Sequence, residues 1–437
     1  MEDVGHRVSN VAVIGAGWSG LASAVTLADR GVPVTVFEAS RQPGGRARRV
    51  TVEGIDLDNG QHILIGAYRE TLALMSKVGA NPDALLLRMP LQLRFAEGFG
   101  LRLPRLPGPV NLLAAALTAR GMNLAERLGM ASFFLRLRSA RFRVDPDCSV
   151  DQLLRAFGQT GSPRRFVWEP LCISALNTPA ARASAQVFAN VLRDALTGES
   201  EASDLLIPRT DLGRLFPEHA MRYLSERGAR IELSTAVRRV EGIDGRFRLD
   251  ADAGTYGEVI VATGAQHAGA LLSGFPEIAQ VRRDIDSLEF EPIYTCYLQY
   301  SGPVRLPCPM LGFSGGIVQW VFDRGQLGGP PGLIAAVVSA SGAHQYLSQQ
   351  EFGARVHAEI EAFLPASLRP QWVRVIAEKR ASFSCRPGIS RPTNRTAVRG
   401  IVLAGDYTAS EYPATLESAV RSGLQAASIV LQDLSDS

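Results

Sequence analysis

Near its amino end the chain reads VAVIGAGWSG (Val11 to Gly20), a short apolar run followed by three glycines with GxGxxG spacing. The apolar run is typical of a central parallel strand that is buried on both faces. The glycines allow a tight turn, the close approach of a pyrophosphate and close helix packing, while the amino end of the helix favours phosphate charge. We therefore predict a dinucleotide-binding turn. Its candidate contact residues are Gly15, Ala16, Gly17, Trp18, Ser19 and Gly20.

A second strand and an acidic residue extend this pattern. Apolar residues at helical spacing from Leu21 to Arg30 precede a further apolar run, Val34 to Phe37, which predicts a right-handed βαβ unit. Glu38 follows that run, 18 residues after Gly20, and its carboxylate can accept hydrogen bonds from a ribose diol. An acid at this position repels a 2′-phosphate, so FAD or NAD is favoured over NADP. We expect Ala39 to contact the cofactor beside it.

Two further segments distinguish FAD from NAD. Directly after the acid comes PGGRARR (Pro43 to Arg49), which puts flexible glycines and an arginine beside the pyrophosphate; NAD-binding chains of this fold do not need it. The next segment is GIDLDNGQHILIG (Gly54 to Gly66), and it predicts a strand that delivers polar residues to the ring end of the cofactor. The candidate contacts are Gly45, Arg46, Gly60, Gln61 and His62, together with Val237 further along the chain.

The carboxyl end contributes the last part of the predicted site. Leu403 to Asp406 predicts a strand with a carboxylate at its tip, suited to a ribityl or phosphate-proximal hydroxyl. A helix is predicted from Pro413, and its free N–H groups and positive end can stabilise negative charge on a reduced isoalloxazine. The candidate contacts are Gly405, Asp406, Leu416 and Glu417. The predicted site is therefore assembled from both ends of the chain.

Composition argues against several classes of protein. Of the 437 residues, 46% are hydrophobic and 20% are charged, which is typical of a globular protein with a large core. A net charge of +3 is too small to indicate nucleic acid as a partner. The five cysteines are scattered without a CxxC pair, so we expect neither a metal site nor a disulfide scaffold, and a reducing cytoplasm fits best. The amino terminus lacks a signal-peptide pattern, and no apolar run is long enough to span a bilayer.

The order of predicted elements indicates an α/β fold. We expect a Rossmann-type, glutathione-reductase-like FAD-binding domain with an inserted helical and mixed-sheet substrate domain. Helical patterns dominate from about Leu85 to Leu205, and alternating segments such as Tyr294 to Tyr300 indicate a mixed or antiparallel sheet. The predicted FAD-binding parts are residues 1–84, 205–280 and 380–437. The predicted substrate parts are residues 85–204 and 281–379.

The chain resembles the FAD-dependent amine oxidase and phytoene desaturase superfamily over essentially its whole length. The two glycines before Arg46 and the helix start from Leu416 to Val420 carry this resemblance. Within the superfamily the chain is most similar to the bacterial hydroxysqualene dehydroxylase family, also called squalene-associated FAD-dependent desaturases. The segments that carry the narrower likeness are Asp58 to His62, Trp168 to Pro170, Ala175 to Thr178, Ala404 to Thr408 and Tyr412 to Glu417. Tyr407 stands where tryptophan is common in that family.

The resemblance implies an FAD-dependent oxidoreductase. We expect the FAD to be non-covalent, because nothing else around Cys385 matches the pattern of amine oxidases that link flavin to a cysteine. We also expect an external electron donor, because no second GxGxxG unit follows a strand. The reaction that the resemblance implies would be the reductive removal of the allylic hydroxyl of hydroxysqualene, with hydride from reduced flavin, to give squalene for hopanoid synthesis. Such a reaction requires an apolar pocket for a C30 isoprenoid, a donor for the leaving oxygen and the exclusion of water. His62 is the first candidate near that hydroxyl, and Gln61 is a candidate orienting residue. The other interpretation of His62 is a histidine that only packs against the flavin.

Two other functions fit the same residues. An oxidative desaturase of a squalene- or phytoene-like chain would run the flavin in the opposite direction, and the sequence does not set that direction. A non-catalytic isoprenoid-binding protein on the flavin fold is the alternative of another class, although Glu38, Arg46 and Asp406 keep the flavin determinants.

One further segment bears on the predicted cellular location. Residues from Leu112 to Arg143 alternate apolar side chains with arginines. This pattern is typical of a helix on an anionic membrane surface and equally of an ordinary solvated helix. We expect a cytoplasmic protein and leave peripheral contact with the inner face of the membrane as the open alternative; the sequence does not indicate an oligomeric state.

Overall fold

The fold contains several sheets built from short strands. A computed structural model describes residues 10–106, 110–199, 201–302, 304–364 and 368–436. The amino terminus, to which the signal-peptide expectation refers, lies outside this described part. The strands are β1 Val11–Ile14, β2 Val34–Phe37, β3 Arg49–Val52, β4 Ile55–Asp58, β5 Leu64–Ile65, β6 Leu86–Met89, β7 Gln92–Arg94, β8 Gly100–Arg102, β9 Leu205–Pro208, β10 Arg230–Glu232, β11 Val240–Ile243, β12 Arg246–Leu249, β13 Thr255–Tyr256, β14 Glu258–Val261, β15 Phe290–Tyr300, β16 Met310–Gly312, β17 Trp320–Asp323, β18 Leu333–Ser339, β19 Pro370–Phe383 and β20 Ile401–Leu403.

Helices lie between the strands and form most of one long insertion. They are α1 Trp18–Asp29, α2 Arg69–Lys77, α3 Pro82–Leu85, α4 Val110–Thr118, α5 Leu124–Ser139, α6 Val150–Ala156, α7 Gly161–Pro163, α8 Glu169–Leu176, α9 Ala185–Thr197, α10 Leu212–Leu215, α11 Pro217–Glu226, α12 Ala265–Leu271, α13 Ala279–Asp286, α14 Gln349–Ile360 and α15 Leu416–Ser435. A π-helical turn spans Arg164–Trp168. Short 3₁₀ helices span Pro276–Ile278, Arg324–Leu327, Ala343–Tyr346 and Glu361–Phe363. No helix in the described ranges combines the length and apolar character needed to cross a membrane.

The first large sheet is parallel and has the strand order β10–β2–β1–β14–β20. β1 pairs with β2 on one side and with β14 on the other, and all three strands are buried along their whole length. Helices cover this sheet, and α1 packs against both α15 and α11. The arrangement confirms the predicted Rossmann-type domain. α1 begins at Trp18 rather than at the predicted Leu21, because Gly17 has the extended backbone of a helix N-cap.

The second large sheet is antiparallel throughout and has the order β16–β17–β18–β15–β19. It confirms the mixed or antiparallel sheet predicted for the inserted domain. β19 extends to Phe383, which pairs with Phe290 at the start of β15. The strand therefore continues past the predicted domain boundary at residue 379, because its pairing with β15 resumes beyond a register shift opposite Glu291 and Ile293.

The helical insertion lies between α4 and α9. Gly121, which has a φ of +81°, separates α4 from α5 and ends the first helix where the sequence indicated a break. The side chains of Phe133 and Trp168 pack edge to face, with ring centroids 5.0 Å apart, and join α5 to the π-helical turn.

The chain leaves and re-enters the first domain at one small antiparallel sheet of order β5–β9–β6. Leu206 of β9 pairs with Leu64 of β5 and with Arg88 of β6. This sheet therefore contains residues from both sides of the predicted boundaries near residues 84 and 204. The division into five parts stays a prediction.

Candidate active site

The turn between β1 and α1 has the shape of an anion cradle. Gly15 has a φ of +110°, and a Cβ atom there would lie 2.7 Å from the carbonyl oxygen of Ala262. A Cβ atom on Gly20 would lie 1.9 Å from the carbonyl oxygen of Gly15. α1 has neither a side-chain cap nor an acidic residue in its first turn. Its first N–H groups and positive end are therefore suited to a phosphate charge.

The glycine pair before Arg46 packs directly onto this turn. Gly44 donates a backbone hydrogen bond of 2.8 Å to the carbonyl oxygen of Ala16. A Cβ atom on Gly45 would lie 3.2 Å from the Cα atom of Gly17. Only glycines permit this approach of two backbones, so the structure brings together two segments that the sequence assigned separately to the pyrophosphate.

Glu38 lies at the end of β2 beside the same turn. Its carboxylate accepts hydrogen bonds of 2.8 Å from the backbone N–H groups of Ala16 and Ser40. Thr235 donates its N–H to the carbonyl oxygen of Glu38, which places the half-buried Val237 in an adjoining segment. The predicted contacts of Glu38, Ala39 and Val237 with the cofactor stay predictions.

Arg46 connects the two ends of the chain. Its Nη2 atom lies 2.6 Å from Oδ1 of Asp406, and its Nη1 atom donates a hydrogen bond of 2.6 Å to the carbonyl oxygen of Ala381 in β19. Burial opposes the charged form of Arg46, but the carboxylates of Asp406 and Glu378 outweigh it and raise the pKa of the guanidinium. The group is therefore a permanent, fixed cation beside the glycine turn.

Two buried hydroxyl groups show that the site fits a polar ligand. The Oγ1 atom of Thr263 and the OH group of Tyr407 are buried without a hydrogen-bond partner among the described residues. Thr263 follows β14, next to Gly15, and Tyr407 follows Asp406. Buried polar groups are nearly always paired, so these two call for atoms of a bound molecule. The residues at the turn thus fit a dinucleotide.

Sequence reasoning did not include Thr263 and Tyr407 among the candidate contacts. A signal for Thr263 is present, because ATG (Ala262 to Gly264) follows a strand that pairs directly with β1. For Tyr407 the signal is its place immediately after Asp406.

Asp58 fixes the loop that leads to the ring end of the site. Its Oδ1 atom accepts a hydrogen bond of 2.7 Å from the backbone N–H of Leu212, and Tyr297 donates its hydroxyl to the carbonyl oxygen of Asp58 at 3.0 Å. Burial raises the pKa of Asp58 to about 7. These two hydrogen bonds therefore fix the start of the loop that follows Asp58.

Gln61 lies where the first domain meets the second sheet. Its N–H donates to Oγ1 of Thr295 at 3.3 Å, and its side-chain Nε2 donates to the carbonyl oxygen of His62 at 3.1 Å. The buried Arg324 donates from Nη1 to Oε1 of Gln61 at 3.2 Å. Arg324 was not found from the sequence, because a buried arginine in a 3₁₀ turn carries no local signature.

His62 is held by its own loop. Its Nδ1 atom lies 2.7 Å from the carbonyl oxygen of Gly60, which can only accept, so Nδ1 carries the proton in this contact. Burial lowers the pKa of His62, with the nearby Arg46 acting in the same direction. His62 is therefore a neutral imidazole at neutral pH, with Nε2 as an acceptor.

At the carboxyl end the predicted residues divide into two roles. Gly405 donates its N–H to Oγ of Ser422 at 2.9 Å, which fixes the backbone beside Asp406. The carboxylate of Glu417 accepts hydrogen bonds from both the N–H and the hydroxyl of Thr71, at 2.9 and 2.7 Å, and so caps α2. Leu416 is half-buried at the start of α15. Contacts of Leu416 and Glu417 with the cofactor stay predictions.

The cysteine nearest the predicted flavin region is inert in this fold. Cys385 is 1% exposed, and burial raises the pKa of its thiol to about 12. A buried, protonated thiol is a poor nucleophile, which agrees with a non-covalent cofactor. In the described part of the chain no group of three or more His, Cys, Asp or Glu side chains is placed to hold a metal ion.

Comparison with known proteins adds to this geometry. A model of the family described as flavin containing amine oxidoreductase matches residues 18–431. The chain is 28% identical to a hydroxysqualene dehydroxylase of Sinorhizobium fredii, over 97% of this chain and 99% of that one. It is 24% identical to the zeta-carotene desaturase of Solanum lycopersicum, over 96% of this chain and 80% of that one. A solved cyclohexylamine oxidase of Brevibacterium oxydans has the same fold, with a TM-score of 0.71 at 16% identity over 98% of this chain and 99% of that one.

Proposed function

This chain belongs to the flavin-containing amine oxidoreductase family and is an FAD-dependent oxidoreductase, and we propose that it removes the allylic hydroxyl of hydroxysqualene to give squalene for hopanoid synthesis. The observation that carries the proposal is the similarity to hydroxysqualene dehydroxylases over nearly the full length of both chains. The identity of 28% to the Sinorhizobium enzyme exceeds the 24% to the tomato desaturase. When bound in its reduced form, FAD supplies the hydride that replaces the hydroxyl, so that R–OH becomes R–H and the oxygen leaves as water.

The chain's own residues hold the cofactor from both ends. We assign the pyrophosphate to the glycine turn and the amino end of α1, with Arg46 as the neighbouring cation. Glu38 suits the ribose diol, and Asp406 suits a hydroxyl of the ribityl chain. The hydroxyls of Thr263 and Tyr407, which have no partner in the described part of the chain, complete this set of polar groups.

Gln61 is the residue we assign to the leaving hydroxyl. One hydrogen of its Nε2 group is used by the carbonyl oxygen of His62, which leaves the second for a substrate oxygen. Arg324 donates to the amide oxygen of Gln61 and so polarises the amide, which strengthens its N–H as a donor. His62 orients the same loop and offers Nε2 as an acceptor, because its Nδ1 is engaged by Gly60.

The second sheet covers one side of the loop that carries Gln61. Thr295 and Tyr297, which contact the loop from β15, are 0% and 1% exposed. A dry surrounding protects the delocalised cation that forms as an allylic C–O bond breaks. An apolar sheet face also suits the hydrocarbon chain of a C30 isoprenoid.

We also propose reversible contact with an anionic membrane through α4 and α5. The described residues expose ten large hydrophobic side chains, and five of them lie in these two helices: Val110, Leu117, Leu124, Leu128 and Leu135. Arg120, Arg136 and Arg138 are exposed among them. Exposed leucines beside arginines can contact an anionic lipid surface, and the proposed substrate resides in lipid.

The second candidate is oxidative desaturation of a related polyprenyl chain, which the likeness to zeta-carotene desaturases supports. The two functions differ in the direction of electron transfer between the flavin and the substrate. The FAD-loaded protein should convert hydroxysqualene to squalene with reduced flavin and an external donor, and should leave squalene and phytoene unchanged with oxidised flavin. Desaturated products from the oxidised protein, with hydroxysqualene unchanged by the reduced one, would favour the second candidate.

A further inference from the structure

A cleft lies beside the second sheet, next to the helical insertion. It has a volume of about 380 Å³ and is formed between the π-helical turn with α8 and the segment that follows β16. Its lining is mixed: Phe95, Ile173, Phe313 and Val318 are apolar, and the charged and polar lining residues are Arg164, Arg165, Glu169, Ser314 and Gln319. A concave surface that combines apolar side chains with polar groups is typical of a small-molecule site.

One wall of this cleft comes from α8, through Glu169, Pro170 and Ile173, and the proposed function leaves this helix without a role. Trp168 is buried and donates its indole N–H to Gln159 at 2.8 Å. At the other end Asn177, with a φ of +45°, donates to Oγ of Ser382 and accepts from the N–H of Ala340, both at 2.9 Å. α8 is therefore fixed at both ends. The adjoining π-helical turn is a feature found frequently at functional sites.

A continuous row of side chains leads from the cleft to Gln61. The ring of Phe95 lies 5.4 Å from that of Trp320, measured between centroids. Trp320 pairs with Val337 and Val337 pairs with Thr295 across neighbouring strands, so the three share one face of the sheet. Neighbouring strands lie about 4.8 Å apart, which puts Trp320 roughly 10 Å from Thr295. Thr295 accepts the N–H of Gln61.

The side chain of Trp320 also links the second sheet to α8. Its indole N–H donates to Oγ of Ser174 at 2.9 Å. Ser174 is exposed, although Trp320 is 5% exposed, so the bond borders an open space rather than a packed core. The indole thus stands between the cleft and the loop that carries Gln61.

We propose, resting on the proposed function, that this cleft holds one hydrocarbon arm of the isoprenoid substrate and that Trp320, which contacts the lining residue Phe95, sets how far the chain reaches toward Gln61. Trp320 is then a determinant of chain length. The apolar side chains of the lining take the chain, and the charged and polar ones face water where the chain ends.

The first test locates the chain without any turnover. The FAD-loaded protein is irradiated with a squalene analogue that carries a terminal diazirine, and the labelled peptides are identified by mass spectrometry. We expect label in the peptides that contain Phe95, Ile173 or Phe313. Label confined to peptides outside the cleft lining would overturn the proposal, whether or not hydroxysqualene is converted.

The second test fills the cleft. Ile173→Trp adds bulk to the lining, and Ile317→Trp is the matched control, because Ile317 is also half-buried but does not line the cleft. We expect Ile173→Trp to raise KM for hydroxysqualene at least about tenfold and to leave turnover of a C15 allylic alcohol unchanged. The flavin absorbance spectrum should match that of the wild-type protein. Equal losses with both substrates, or in both variants, would contradict the proposal.

A third comparison addresses Trp320 itself. Trp320→Phe keeps a ring at this position, whereas Trp320→Leu does not. We expect the first to keep the preference for C30 over C15 alcohols and the second to change it by about fivefold or more. An unchanged preference in Trp320→Leu would remove Trp320 as the determinant. A wild-type protein that converts neither alcohol would refute the proposed function, and the photolabel would still decide where the chain lies.

Discussion

Arg46 and Asp406 are 360 residues apart in the chain, and their side chains form an ion pair of 2.6 Å between Nη2 and Oδ1. The pair joins the segment after β2 to the segment after β20. Because Arg46 also donates to Ala381 in β19, one guanidinium fixes three distant parts of the protein around the glycine turn. The cofactor site therefore depends on complete folding of both ends of the chain.

Loss of this guanidinium should weaken FAD binding. We expect Arg46→Ala to raise the Kd for FAD by at least about tenfold, because a cation beside the pyrophosphate and two hydrogen bonds are lost together. Arg41→Ala is the matched control, since Arg41 is an exposed arginine of the same loop. Fluorescence titration of the apoprotein measures both. Equal affinities for the two variants would show that Arg46 does not hold the cofactor.

The unpaired hydroxyls of Thr263 and Tyr407 should act through the ligand alone. Thr263→Val and Tyr407→Phe remove a buried group that has no partner among the described residues, so the apoprotein should be as stable as the wild type or about 1 kcal/mol more stable. The same variants should bind FAD several-fold more weakly, because the ligand loses a hydrogen bond. Thermal unfolding with and without FAD checks both halves. A destabilised apoprotein with unchanged FAD affinity would contradict the assignment.

The carboxylate of Glu417 should stabilise the fold. Glu417→Ala removes the acceptor for the backbone and hydroxyl groups of Thr71 at the start of α2, and we expect a loss of about 1–3 kcal/mol in the free energy of unfolding. FAD affinity of the folded variant should change less than about threefold. Denaturant unfolding and FAD titration together distinguish this role from the cofactor contact that the sequence predicts. A large loss of affinity without a loss of stability would support that contact instead.

Asp58 should make stability depend on pH. Its folded pKa of about 7 lies above the ordinary aspartate pKa of 3.8, so the folded state binds the extra proton and stability falls as pH rises between these values. Between pH 5.5 and 7 the deprotonation of Asp58 should lower the free energy of unfolding of the wild-type protein by ~2 kcal/mol. Asp58→Asn keeps an acceptor for Leu212 and should lose that dependence. Urea unfolding at several pH values measures this dependence. An identical pH dependence of stability in the wild type and Asp58→Asn would contradict the role of Asp58.

The neutral state of His62 predicts the shape of the pH–rate profile. Because burial lowers its pKa below the ordinary value of 6.5, protonation of His62 should change the rate only on the acid side. The profiles of the wild type and His62→Gln should therefore differ below pH 6.5 and run in parallel above it. A limb that falls with rising pH above 6.5 and is absent from His62→Gln would show that His62 acts as the proton donor.

Leucines of α4 and α5 should carry the contact with lipid. Replacing Leu117, Leu124 and Leu128 together by serine should reduce co-sedimentation with vesicles containing phosphatidylglycerol by about tenfold or more, because three exposed apolar side chains are lost. Leu233→Ser is the control, since Leu233 is an exposed leucine outside this region. Equal sedimentation of the triple variant and the control would exclude this surface.

Local sequence predicted the parts of the site that are encoded by short segments. The run from Val11 to Arg30 predicts a strand, a turn and a helix, because apolar runs, glycines and helical spacing are all local features of the chain. Residues far apart in the chain, such as Arg46 and Asp406, could be assigned to one site only because each belongs to a recognisable motif. The predicted contacts with the cofactor remain predictions.

The contacts that the sequence did not predict depend on packing between distant segments, which no local pattern encodes. Arg324 contacts Gln61 because β17 and the loop after β4 meet across the domain interface, and nothing near Arg324 in sequence indicates that meeting. Glu417 was assigned to the cofactor from its place at the start of a helix, but the neighbouring α2 provides the donors that its carboxylate accepts. The end of β19 at Phe383 likewise follows from its pairing with β15.

Hydride transfer to hydroxysqualene is tested most directly by following deuterium. The FAD-loaded protein is reduced with dithionite under anaerobic conditions in D2O, so that the exchangeable flavin positions carry deuterium, and hydroxysqualene is added. We predict squalene with one deuterium on the carbon that carried the hydroxyl, formed as the flavin absorbance returns. Hydroxysqualene left unchanged by FAD-loaded protein, or squalene without deuterium at that carbon, would contradict the account.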